Sequence, residues 1–146
     1  FASLPETYRI GFITINPGST VSSSRYLKIG EFTTGANNQR DKWYTKLYAQ
    51  TNNGGTPLRE ALSRVGQLYA GKFGDSYLTK GIPEADDPVQ LSCQANFTIL
   101  STDGYWNGNG GKDLNGNNIG DVDGAEDANY SKTADGVYDA NKAQNT

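Results

Sequence analysis

Two residues with oxygen side chains stand where a hard cation could bind. Thr56 opens a helix-like stretch after two glycines, and Asp103 directly follows an apolar, strand-like segment. A hydroxyl and a carboxylate are ligands that Mg²⁺ and Ca²⁺ prefer, and such a pair leaves a coordination position for an acidic residue of a partner. The two residues therefore predict a divalent-cation site. The alternative is that Thr56 only caps its helix and that Asp103-Gly104 only forms a turn.

A second group of oxygen ligands lies further along the chain, in a loop rich in Asp, Asn and Gly. Side-chain oxygens and one backbone carbonyl recur there at the spacing of a calcium-binding loop. The ligands would be Asp113, Asn115, Asn117, the carbonyl of Ile119, and Asp121. Because Gly124 stands at the last position, where an EF-hand has Glu, Asp123 would supply the bidentate carboxylate. The spacing predicts a Ca²⁺ loop, and the alternative is a solvated loop without a metal.

The composition excludes most catalytic chemistry. The 146 residues include no His and one Cys, so the chain holds no Ser-His-Asp triad, no Cys-His pair and no His-ligated metal. Asp and Glu are plentiful enough for a carboxylate-based glycosidase, but no pair of them is set out by its spacing as acid and base. We therefore predict that the protein is not an enzyme.

Charge and hydropathy exclude two classes of partner. The chain has 13 Lys+Arg against 16 Asp+Glu, a net charge of −3, and no basic cluster, so we expect no nucleic-acid binding. No apolar run approaches the ~18 residues of a membrane span, so we expect no membrane insertion. The charge is uneven, with a net of +2 over residues 1–102 and −5 over residues 103–146. We read the first part as the core of one domain and the second as its acidic Gly/Asn/Asp-rich loop region.

The elements that must position the cation ligands follow from the hydropathy pattern. Residues 8–16 are β-rich and apolar, as in a strand buried on both faces of a parallel sheet. Residues 25–32 alternate between apolar and polar, as an edge or hairpin strand does. Residues 40–50 have the spacing of a short helix, with an apolar face of Trp43, Tyr44, Leu47 and Tyr48. Residues 95–102 form a second candidate for a buried strand, which ends at the predicted metal ligand.

The strongest helix signal begins at Thr56-Pro57, with the threonine as cap and the proline at the first helical position. Its apolar face, predicted to pack on a sheet, comprises Leu58, Ala61, Leu62, Val65, Leu68 and Tyr69. Strand, helix and strand in this order predict an α/β, three-layer fold with a mostly parallel sheet. Ligands bind such sheets beyond the carboxyl ends of the strands, and both Thr56 and Asp103 belong at that edge.

The residues around both predicted ligands resemble a known adhesion site. Gly54–Leu62 and Ile99–Gly104 are similar to the second and third elements of the metal-ion-dependent adhesion site of a von Willebrand factor A domain. The first element of that site is Asp-x-Ser-x-Ser, and Ser22-Ser23-Ser24 lacks the leading Asp. The resemblance implies that this element lies before Phe1 and that the domain is truncated at both ends.

A narrower resemblance covers nearly the whole chain and concerns the A-type domain of the PilC/PilY family of type IV pilus proteins. The matching blocks are Arg9–Phe12, Gly54–Leu62, Asp87–Gln94, Thr102–Asn107, Gly120–Gly124 and Asp135–Asp139. The resemblance implies a secreted, non-catalytic module for cell adhesion and pilus biogenesis at the pilus tip, on the bacterial surface and associated with the outer membrane. Its partners would be pilus proteins, or a host or surface ligand with an acidic residue. The alternative is a structural, Ca²⁺-stabilised segment of a large secreted protein without its own ligand site.

Three further residues have two readings each. Tyr105 and Trp106 follow Asp103 directly and would form an exposed rim of the ligand site, or would pack the top of the sheet. Cys93 fits an oxidising, extracellular setting if a partner cysteine lies elsewhere, and is otherwise a buried free thiol before a strand.

Overall fold

A computed structural model describes residues 1–51, 54–74, 76–102, 106–107 and 110–119. The predicted elements up to residue 70 are present with small shifts of their ends. In chain order they are β1 (Arg9–Ile13), β2 (Tyr26–Glu31), α1 (Gln39–Tyr48), α2 (Leu58–Tyr69) and a short 3-10 turn, Glu84–Asp86. None of the helices in these ranges is long and apolar enough to cross a membrane.

The two strands form an antiparallel pair, in which Arg9 lies opposite Glu31 and Ile13 opposite Tyr26. This confirms the hairpin prediction for the second strand. The first strand was predicted to lie in a parallel sheet, but its neighbour in the described chain is antiparallel and all its residues are half-buried. The link of a dozen residues contains no helix and folds straight back, whereas the crossover between parallel strands is usually a helix.

The register of the pair shifts by one residue around Gly11. A Cβ on Gly11 would lie 2.7 Å from the Ile29 side chain and 2.8 Å from the Leu27 carbonyl oxygen, so only glycine fits between the strands. A bulge of this kind bends and twists a strand pair.

Helix α1 packs against the hairpin and forms the core with it. Trp43 is buried with Leu27 and Phe32, and its ring meets the Phe32 ring edge-on at 6.0 Å. The indole Nε1 donates to the Gly11 carbonyl at 3.1 Å, so the one polar atom of this side chain is satisfied. The helix predicted over residues 40–50 is therefore confirmed, although Tyr48, on its predicted apolar face, is 78% exposed.

Helix α2 confirms the prediction of a helix, and its buried face overlaps the predicted one in part. Its buried residues are Ala61, Arg64, Gln67 and Leu68, whereas Leu62 is 46% exposed. The Arg64 guanidinium is held in the interior by two hydrogen bonds. Its Nε donates to Leu78 O at 2.8 Å and its Nη1 to Ile15 O at 3.2 Å. Only α1 packs closely on the described strands. This strand pair does not test the prediction that α2 packs on a sheet, which stays a prediction.

The segment of residues 95–102 is not a strand in the structure, contrary to the prediction from its hydropathy. Its apolar side chains lie in solvent, with Phe97 83% and Ile99 78% exposed. β1 and β2 pair with each other, and the described residues bring no third strand beside this segment. An apolar segment without a neighbouring strand has no ladder hydrogen bonds to join.

Candidate metal centre

Thr56 lies just before α2, in a backbone clasp with a distant part of the chain. Its N–H donates to the Asn107 Oδ1 at 2.7 Å, and its carbonyl accepts from the Asn107 N–H at 2.9 Å. Gly55 permits this approach, because a Cβ there would collide with the Asn107 amide. The start of α2 and residues 106–107 therefore meet.

The Thr56 side chain does not cap the helix. Pro57 occupies the cap position, and no side chain bonds to the first-turn amides. The alternative reading of Thr56 as an N-cap is therefore wrong. Within the described residues its hydroxyl has no hydrogen-bond partner, while its backbone groups are satisfied by Asn107 and Leu58. A hydroxyl in this situation is open to an external ligand.

A third segment reaches the start of α2 through Asn16, three residues after the end of β1. Asn16 donates through its amide to the Gly55 carbonyl, and its own carbonyl accepts from Arg25 Nη1 at 2.6 Å. A cleft of about 290 Å³ opens beside it, with Glu60 and Arg64 in its wall. These two charges pair with each other at 3.3 Å. Sequence reasoning missed Asn16 and Asn107, although Asn16 precedes a Pro-Gly turn and Asn107 ends a matching block.

The other ligand predicted for this centre, Asp103, lies outside the described residues, as does Tyr105 of the predicted rim. Trp106 is described and is 40% exposed. The guanidinium carbon of Arg59 lies 3.7 Å from its ring centroid, at cation–π distance. Trp106 is thus partly open to solvent beside the start of α2.

Four of the six predicted calcium ligands are described: Asp113, Asn115, Asn117 and Ile119. The Asp113 Oδ1 accepts the backbone N–H groups of Asn115 and Asn117, both at 2.8 Å, and its Oδ2 accepts the Asn117 amide at 3.1 Å. The hydrogen bond from the Asn117 side chain, followed by those from backbone amides, lowers the pKa of Asp113. The loop is thus folded around one carboxylate, and Asp121 and Asp123 lie outside the described residues.

This loop is fastened to α2 by side chains of the helix. Ser63 Oγ accepts from the Lys112 N–H at 3.0 Å, and Gln67 Nε2 donates to the Asp113 carbonyl at 3.0 Å. Gly111 allows the contact, because a Cβ there would collide with the Ser63 hydroxyl. The described parts of the two predicted cation sites, Thr56 and the Asp113 loop, therefore lie along one helix, the first before its start and the second beside its middle.

Two observations limit other chemistry in the described ranges. No three Cys, Asp or Glu side chains there come together as a metal-binding group. Cys93 is a free, exposed thiol, so the reading of it as a buried thiol is wrong.

Comparison with curated proteins gives a match over almost the whole chain. The type IV pilus biogenesis factor PilY1 of Pseudomonas aeruginosa strain PAO1 is 32% identical over 153 aligned positions, which cover 95% of this chain. This chain is homologous to a segment of PilY1. PilY1 proteins of strains UCBPP-PA14 and PAK are also 32% identical, over 74% and 73% of the chain.

The match is to a small part of a much longer protein. The chain spans 12% of the PilY1 of strain PAO1 and 9% of the other two. No family model and no solved structure matches the chain. The homology therefore supports the PilC/PilY part of the resemblance, and the von Willebrand type of the fold stays a prediction.

Proposed function

We propose that the chain is a non-catalytic module of a type IV pilus biogenesis factor, which acts at the bacterial surface in adhesion and pilus biogenesis. The observation that carries this proposal is the 32% identity to PilY1 over 95% of the chain. Its partners would be pilus proteins or a surface ligand with an acidic residue. The proposed location is extracellular, at the pilus tip and associated with the outer membrane.

The proposed fold is a three-layer α/β domain of the von Willebrand factor A type. A hairpin, two helices and an extended apolar segment are consistent with parts of such a domain. The exposed side chains of Leu62, Phe97 and Ile99 support it, because large apolar groups in solvent mark surfaces that another element covers. In this proposal residues 95–102 become a strand when a neighbouring strand pairs with them.

The proposed ligand site contains a divalent cation, Mg²⁺ or Ca²⁺, bound by Thr56 and Asp103. Support comes from the Thr56 hydroxyl, which has no hydrogen-bond partner among the described residues, and from the clasp that brings Asn107, four residues after Asp103, against Thr56. The cation would accept a carboxylate of the partner in its open coordination position. Tyr105 and Trp106 would form the rim that contacts the rest of that partner.

An exchange of segments tests the pilus role. The matching segment of P. aeruginosa PilY1 is replaced by this chain, and surface pili are quantified by shearing and immunoblotting of pilin. We expect the exchanged protein to restore surface pili that a deletion of the segment loses. The proposal would be contradicted by an exchanged protein that is secreted normally but gives no more surface pilin than the deletion.

A second candidate function is a structural role for a Ca²⁺ loop without a ligand site. The observation that favours it is the attachment of the Asp113 loop to α2 through Ser63 and Gln67, since an ion bound there would brace the helix. In this proposal the ligands are Asp113, Asn115, Asn117, the carbonyl of Ile119, Asp121 and Asp123. The Asn117 amide would have to turn its oxygen toward the ion.

Calcium stabilisation separates this candidate from a simple solvated loop. Ca²⁺ should raise the melting temperature, because it binds the folded chain in preference to the unfolded one, and Mg²⁺ should do so less. Asp113→Asn should remove most of that increase. Glu84→Gln, which removes the same charge from an exposed position, is the control. Equal calcium responses in the two variants would show that the loop holds no ion.

A further inference from the structure

A second cleft, of about 420 Å³, lies between α2 and the loop that carries Asp113. Its wall consists of Arg59, Tyr77, Gly110, Lys112, Asn118 and Ile119. Arg59 comes from the first turn of α2, and Lys112 from the loop that Ser63 fastens to the same helix. Two positively charged side chains from distant parts of the sequence therefore share one opening.

Neither cation is neutralised in the part of the chain that the structure describes. The ion pairs there are Lys28–Asp86 and Arg64–Glu60, so Arg59 and Lys112 take part in none. The Arg59 Nε is buried and has no hydrogen-bond partner among the described residues, and Lys112 Nζ donates to a neutral acceptor, Asn118 Oδ1, at 2.6 Å. A buried donor without a partner and two unpaired charges favour an anion in the cleft.

Aromatic and aliphatic groups surround the two cations. Arg59 stacks on Trp106 at 3.7 Å, and Lys112 Nζ lies 5.6 Å from the Tyr77 ring centroid. The stack fixes the guanidinium plane, so little side-chain entropy remains to be lost on binding. Leu114 and Ile119 are exposed on the same loop. Arginine, tryptophan and tyrosine are enriched in the centres of protein–protein interfaces, with apolar neighbours that exclude water.

The charge pattern favours a protein over a membrane. Attraction to anionic lipid requires a cluster of several Lys or Arg residues, whereas this cleft has two in a chain of net charge −3. We propose that the Arg59–Lys112 cleft binds the carboxylates of an acidic, partly apolar segment of a partner protein. This contact needs no metal, so it goes beyond the cation site proposed at Thr56 and does not depend on it.

The test uses the whole chain in EDTA and a blocked Leu-Glu-Glu-Leu peptide as the probe. Titration is followed by NMR at the Arg59 Nε–Hε and Trp106 indole signals. We expect saturable shifts, a dissociation constant raised about tenfold by Arg59→Gln and several-fold by Lys112→Gln, and weaker binding at high salt. The control Lys80→Gln removes a charge from an exposed position outside the cleft and should leave the affinity unchanged. Amide spectra check that each variant is folded.

Several outcomes would overturn the proposal. One is equal binding of a matched Leu-Gln-Gln-Leu peptide, and another is an equal loss of affinity in Lys80→Gln. Binding that appears only after Mg²⁺ replaces EDTA would assign the carboxylate to the cation site instead. Vesicles of phosphatidylglycerol that bind in an Arg59-dependent manner, while the peptide does not, would show that the cleft serves lipid. Failure of the segment exchange in PilY1 would leave the peptide result unaffected.

Discussion

At the scale of single residues, Glu6 ties the N-terminal segment to the loop after β2. Its Oε1 accepts the Thr34 backbone N–H at 2.9 Å and also the Thr34 hydroxyl. The bond from that hydroxyl, followed by the backbone bond, lowers the pKa of Glu6 below its ordinary value of 4.5. Tyr26 shows the opposite case, because burial, followed by the charge of Asp86, raises its pKa.

The lowered pKa of Glu6 gives a prediction with a definite sign. Its carboxylate contributes stability that is complete above pH 4.5 and is lost as the pH falls through the lower folded value. The amide signal of Thr34 should therefore titrate with a midpoint below 4.5. Thr34→Val should move the pKa of Glu6, followed at its own side chain, back toward the ordinary value. A wild-type midpoint at or above 4.5 would contradict the arrangement.

The hydroxyl of Thr56 gives the second residue-scale prediction. Two protein ligands leave Mg²⁺ mostly hydrated, so we expect weak binding, in the millimolar range by order of magnitude. The amide signals of Gly55, which precedes Thr56, and of Asn107, whose N–H donates to the Thr56 carbonyl, should shift during a Mg²⁺ titration. Thr56→Val and Asp103→Ala should each abolish the shifts, and Thr56→Ser, which keeps the hydroxyl, should retain them. The same titration curve in Thr56→Val and Thr56→Ser would refute the site.

At the scale of elements, glycines decide how closely the calcium-loop candidate approaches α2. Gly111→Ala should push the loop off the helix, because its Cβ would overlap the Ser63 hydroxyl. We expect a loss of about 1–3 kcal/mol and faster exchange of the Lys112 amide, which Ser63 protects. Gly66→Ala is the matched control, since a Cβ at that helical position meets nothing within 4 Å. It should add about 0.5–1 kcal/mol to stability. Equal effects of the two changes would contradict the close contact.

At the scale of the whole molecule, the chain presents large apolar groups that its own described part does not cover. An extended, exposed apolar segment promotes association between chains. Phe97→Ser with Ile99→Ser should therefore reduce self-association in sedimentation velocity. Tyr48→Ser, at an equally exposed position on α1, is the control and should change it little. A wild-type chain that stays monomeric at high concentration would contradict this prediction.

The sequence alone determined the elements with strong local signals. The hairpin strand, both helices and the position of Thr56 before α2 follow from two signals. These are the hydrophobic periodicity of each segment and the proline at position 57, and both act over a few neighbouring residues. The PilC/PilY resemblance also came from the sequence, because matching blocks are spread along the chain.

The tertiary structure decided which faces and which neighbours these elements have. Arg64 is buried on α2 because three acceptors converge on it, the Leu78 and Ile15 carbonyls from other segments and Glu60 from the same helix. The hydropathy pattern predicts that an arginine is exposed to solvent, and it contains no information about such hydrogen-bond partners. Residues 95–102 show the converse, since a strand exists only where another strand accepts its hydrogen bonds. Only the folded chain brings together residues about fifty positions apart. Examples are Thr56 with Asn107 in the clasp, and Arg59 with Lys112 in the wall of one cleft.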